Sequence, residues 1–115
     1  MEIRSIDGFI AYFEGIRERT RRVVACVPDD RMDWSPAPGR FGFADLIRHL
    51  AAIERWRFVE NAAGRPSRYP GHGRDLADGP EAVRRYFEDM HRDSMTILGG
   101  LDEADLARRC ETPAG

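Results

Sequence analysis

Three stretches of this chain carry apolar residues every three or four positions, and none alternates with a sustained period of two. That pattern restricts the fold to helices packed along apolar faces, because side chains return to one face every 3.6 residues in a helix and every two in a strand. In the first stretch Ile6, Phe9, Ile10, Phe13, Ile16, Val23, Val24 and Val27 form the stripe. Ser5 is placed as an N-cap and Pro28 as the stop, which predicts a helix over about residues 6–27. Glu14, Arg17, Glu18, Arg21 and Arg22 mark its other face, at spacings suited to solvated i,i+4 pairs.

The second stripe is Phe43, Leu46, Ile47, Leu50, Ile53 and Trp56, ending near Gly64-Arg65-Pro66. Asp78, Pro80 and Glu81 announce the third, whose stripe is Val83, Tyr86, Phe87, Met90, Ile97, Leu98 and Leu101 and whose end is Gly99-Gly100. Asp102 and Asp105 cap a short last helix reaching about Arg109, and Thr112-Pro113 interrupts it. There is no internal repeat. The expected architecture is all-α, with three long antiparallel helices plus a short C-terminal one in a single domain over residues 1–115.

Between the first two helices, Pro28 to Gly42 holds three prolines, two glycines and Asp29-Asp30, a composition that builds an ordered turn. Trp34 inside it is expected to plug one end of the core. Residues Gly64 to Gly79 form a loop longer than most connections between packed helices, and loops of that length often border a site. Tyr69, His72 and Arg74 are its candidates for contact with substrate.

Charge narrows the partners. Eighteen basic residues face twenty acidic ones, for a formal net of −2, so the chain lacks the basic footprint of a nucleic-acid or anionic-membrane binder. Every basic residue is Arg. No apolar run approaches the roughly 20 residues of a membrane span, and Met1-Glu2-Ile3-Arg4 opens directly into an amphipathic pattern, so the expected location is the cytoplasm. Cys26 and Cys110 are too few for a disulfide framework and lack CxxC spacing, and each is expected to be a buried or half-buried thiol.

His49 falls three residues after Leu46 and four before Ile53, at the flank of the second stripe, with Asp45 one turn before it and positioned to accept its ring N–H. His91 follows Phe87 by four residues, at the flank of the third stripe. If the two histidines face each other, Glu54 or Asp45 would complete a two-His-one-carboxylate set, making His91 an additional candidate ligand. A ferritin-like di-iron site is disfavoured because it takes a Glu-x-x-His pair from each of two helices, and the predicted helices hold one such pair, Glu88-Asp89-Met90-His91.

A first helix, a Trp34-x-Pro36 turn and a helix reading Asp45-Leu46-Ile47-Arg48-His49-Leu50-Ala51 together resemble the DinB-like superfamily, which includes YfiT-type and thiol-dependent bacterial proteins. Glu54, Trp56, the long loop and the Asp102-Glu103-Ala104-Asp105-Leu106 step extend the likeness along essentially the whole chain. The resemblance implies a four-helix bundle whose metal site joins a histidine of the second helix to an HxxxH pair on the fourth. His49 matches the first position. The other two have no counterpart, since only Glu111-Thr112-Pro113-Ala114-Gly115 follow Cys110.

In function, the resemblance implies a metal-dependent hydrolase or thiol transferase with an incomplete site. His49 would hold a divalent ion such as Zn or Ni, Asp45 or Glu54 would orient it or handle a proton, and the substrate would be a small molecule or a low-molecular-weight thiol. Three helices shaped for a four-helix core leave an apolar strip open. At about 400 Å² it would forfeit about 10 kcal/mol at about 25 cal/mol per Å². The expected occupants are a fourth helix beyond Gly115, a second copy in a homodimer, or closure into a smaller core. The alternative function is a non-catalytic helical dimerisation or protein-interaction module.

Overall fold

The computed structural model describes residues 2–110. Ser5 starts the first helix as its position predicts: its Oγ accepts the Gly8 N–H at 2.9 Å, and α1 runs Ile6–Ala25. Helical structure stops two residues short of the expected end, and Val27 packs against the core from the turn beyond it.

Backbone hydrogen bonds, and not a tryptophan plug, order the connector. A 3₁₀ turn at Asp29–Arg31 leads into buried Met32, whose carbonyl accepts the Ala44 N–H at 2.8 Å, while the Trp34 carbonyl accepts from Phe43 at 3.1 Å. Gly42 is required for this approach, since a Cβ there would stand 2.9 Å from the Trp34 carbonyl oxygen. Anchored by its carbonyl, Trp34 turns its indole outward: it is 47% exposed and stacks on Phe43, and Met32 takes the core position expected of it.

The second helical rod has three parts: α2 Phe43–Ala52, a π-helical turn Ile53–Phe58, and α3 Val59–Ala62. Asp45 accepts the Gly42 N–H at 2.9 Å, the reach-back half of a capping box whose other half a glycine cannot supply. At its far end the Arg65 N–H reaches back to the Glu60 carbonyl at 2.9 Å, with Gly64 at φ 79 between them. The buried face of α2 differs from the apolar stripe read in the sequence. Ala44, Ile47, Arg48, Ala51 and Ala52 turn inward, whereas Leu46 and Leu50 are 46% and 44% exposed. Small side chains let a neighbouring backbone come close, and that approach selects the alanine face.

The neighbour is α4, Pro80–Gly99, with Val83, Phe87, His91, Ser94 and Leu98 buried along one side. Glu14 meets His91, Arg17 meets Phe87, and the Val24 carbonyl meets Arg84, so α1 and α4 run antiparallel. Ala44 lies beside Gly79 and Pro80, whereas Glu54 meets His91, so α2 and α4 run parallel and not antiparallel as expected of consecutive long helices. A parallel pair needs a return path, which is why the Gly64 to Gly79 connection is long. After α4, Asp102 and Asp105 cap each other reciprocally at 2.9 and 3.1 Å around a 3₁₀ turn, Glu103–Ala107. This five-residue turn replaces the short helix expected to reach Arg109, and Thr112-Pro113 lie outside the described residues.

Both α1 and the second rod pack on α4, and they meet each other through long side chains such as Arg17 with Glu54 and Phe13 with Phe58. Between them a groove of about 320 Å³ stays open, lined by Phe13, Ile16, Thr20, Leu50, Ile53 and Phe58. The three long helices therefore do not close into a smaller core. The fold is all-α, with no strand among the described residues.

Candidate functional site

A buried arginine builds the site. Arg48, 2% exposed, projects from α2 into the returning loop, where its Nε donates to the His72 carbonyl at 2.7 Å and its Nη1 to the Ala77 carbonyl at 3.0 Å. Nη2 is held by Asp45 at 2.8 Å. Two donors on one rigid plane, the third fixed by Asp45 of the same helix, thus pin a loop that has no regular structure of its own. Further back, the Arg68 N–H donates to the Trp56 carbonyl at 2.9 Å.

So held, the loop carries Tyr69 and His72 to His49. The Tyr69 hydroxyl lies 2.5 Å from His49 Nδ1 and 3.0 Å from His72 Nδ1. The Phe41 ring covers His72 at 4.1 Å between centroids and meets His49 edge-on at 5.5 Å. A phenol has one proton, so it can donate to one imidazole while accepting from the other. Burial lowers the pKa of His49, with the nearby His72 as a smaller cause, which keeps the ring neutral and its lone pair available. Burial raises that of Tyr69, keeping it a phenol. Beneath the loop the Tyr86 hydroxyl is buried with no hydrogen-bond partner among the described residues.

Among the described residues no three His, Cys, Asp or Glu side chains converge to hold a metal. What converges is two imidazoles on one phenol oxygen. That donor set suits a borderline divalent ion such as Zn or Ni, so the chemistry fits, with the remaining positions left to water, substrate or groups outside the described residues.

His91 belongs to a second cluster. Its Nε2 lies 2.6 Å from Glu14 and its Nδ1 3.0 Å from Glu54. Arg17 donates to Glu54 at 3.1 Å and to the Phe87 carbonyl at 2.6 Å, its guanidinium 3.4 Å from the Phe87 ring centroid. Burial pushes the His91 pKa down, but the hydrogen bond and charge of Glu54 and the hydrogen bond of Glu14 outweigh it and leave the value raised, Arg17 opposing. The expectations of a His91 at the flank and of a solvated Arg17 are both corrected, each being 5% exposed, whereas Glu14 stays partly exposed and Glu18 pairs with Arg21 and Arg22 on the solvated face as expected. Both nitrogens of His91 face carboxylates, so the structure does not assemble it with His49.

Asp45 does not touch His49. Burial raises its pKa, but the Gly42 amide and Arg48 outweigh this and hold it low, so it serves the helix start and the loop clamp. Glu54 is likewise committed to Arg17 and His91. Arg74 stays at the rim, exposed and 3.4 Å from Asp33. Cys26 and Cys110 are free and exposed, not buried as expected, and Cys26 Sγ caps the Arg22 carbonyl at 3.3 Å.

Sequence reasoning missed Arg48, Arg17 and Phe41. Two carried a signal: Arg48 follows Ala44 by four residues and precedes Ala51 by three, on the small-residue face, and Arg17 lies between Phe13 and Val24 on the stripe of α1.

These features define an all-α bundle with a clamped loop that closes a histidine pair over one helix. The sequence model of the DinB superfamily matches residues 12–115, and the chain belongs to that superfamily. Neither a protein of curated function nor a solved structure matches it. No helix of the described residues is long and apolar enough to cross a membrane.

Proposed function

We propose that this DinB-like protein is a metal-dependent hydrolase or thiol transferase scaffold in which His49 is a metal ligand. The observation that carries the reading is a neutral imidazole on α2, facing a phenol across a loop clamped by Arg48. A divalent ion held there would supply Lewis acidity, lowering the pKa of a water or thiol in an open position.

The chain's own groups do the rest. Arg48 keeps the loop at the rod, Phe41 excludes water from one side of the imidazoles, and the Tyr69 hydroxyl holds a proton between them. Arg74, exposed and 3.4 Å from Asp33, would meet an anionic group on a small substrate such as a low-molecular-weight thiol. Metal content of the purified protein, read by plasma mass spectrometry, tests the reading. Wild type should carry one divalent transition ion per chain and His49→Ala should lose it; a wild type that stays metal-free after incubation with Zn²⁺ or Ni²⁺ contradicts it.

A second reading rests on the groove. Leu50 and Phe58 of the second rod and Ile16 of α1, with exposed Leu46 a turn before Leu50, leave an apolar face that a homodimer would cover, making the protein a helical interaction module. Light scattering on the eluting chromatographic peak should then give twice the mass of the chain, and a stable monomer would remove the support.

A further inference from the structure

We propose that His72, from the loop, is a second imidazole ligand, so that a divalent transition ion binds between His49 and His72. This rests on the reading that His49 binds metal and adds a loop residue to it. Both Nδ1 atoms face one point, the Tyr69 hydroxyl oxygen, at 2.5 and 3.0 Å. Imidazole coordinates zinc at about 2.0–2.1 Å, so shifts of about 0.5–1 Å turn this hydrogen-bonded geometry into a coordinating one.

A histidine on an exposed loop ordinarily gives up much conformational freedom on binding an ion. Here that freedom is already restricted. The His72 carbonyl is pinned by Arg48 at 2.7 Å, and its ring packs against Phe41 on one face and lies stacked with Tyr69 at 6.3 Å. The ion would take the place of the Tyr69 hydroxyl between the two rings, the phenol moving aside with its proton, and would fasten the loop to α2.

Titration of the apoprotein with Zn²⁺ tests the proposal, followed by calorimetry and by long-range ¹H–¹⁵N spectra of the imidazoles. Wild type should bind one equivalent. His72→Ala and His72→Gln should both weaken it more than about 100-fold, beyond the loss of an outer hydrogen bond, and in wild type the Nδ1 resonances of His49 and His72 should shift together. If His49→Ala abolishes binding while both His72 variants bind as wild type and the His72 resonance does not move, the second ligand is wrong and the role of His49 survives. If wild type binds no Zn²⁺, both proposals fall.

Discussion

Arg48 carries more of this molecule than its residue type suggests. Its three donors serve two loop carbonyls and one carboxylate, and Arg48→Met would leave all three without that partner. Leaving buried acceptors unsatisfied costs about 1–3 kcal/mol each, offset here by partial rehydration of Asp45, so a loss of about 2–4 kcal/mol is expected in urea unfolding. Trypsin should also cut faster at Arg68 and Arg74 in that variant. Wild-type stability and cleavage rates would show that the clamp does not hold the loop. His49 was legible in the sequence because it belongs to a local motif. Arg48 was not, because an arginine defaults to solvent and its partners lie 24 and 29 residues away.

Helix starts and stops were legible because they are local chemistry: Ser5 at α1, Pro80 at α4, Gly64 after α3. The facing of α2 was not. Leu46 and Leu50 are more apolar than Ala44, Ala51 and Ala52, yet close approach to α4 selected the alanines. Nor does any local pattern mark the π-helical turn, which carries Glu54 to Arg17 and His91.

That cluster ties α1, the π turn and α4 together and makes stability depend on pH. Glu14, Glu54, Arg17 and Glu88 are the charged groups around His91. Because its folded-state pKa is raised above the unfolded value of about 6.5, its contribution is complete below that value and is lost as pH rises through the folded one. Thermal unfolding at about pH 6 and about pH 8 should show wild type losing stability with rising pH more steeply than His91→Gln. Equal slopes would mean that the imidazole is not charged in the fold.

At the scale of the whole molecule, the all-α class could be read from the stripes and an uncovered apolar strip from the resemblance to a four-helix bundle, whereas the direction of α2 relative to α4, expected to be antiparallel, could not. Direction depends on where the long loop returns, and Arg48 holds that return at His72 and Ala77, 24 and 29 residues away. If a second copy covers the groove, Leu50→Glu should convert dimer to monomer while changing the stability of the chain itself by no more than about 0.5 kcal/mol, as for other exposed sites. Sedimentation equilibrium reads this directly, and an unchanged mass would place any interface elsewhere.

The central claim is that His49, under its clamped loop, binds a divalent ion. Calorimetric titration of Zn²⁺ into metal-free wild type and His49→Ala, side by side at neutral pH, tests it most directly. A single saturable site in wild type that vanishes in the folded variant is the expected result; no site in wild type, or an undiminished site in His49→Ala, would contradict it.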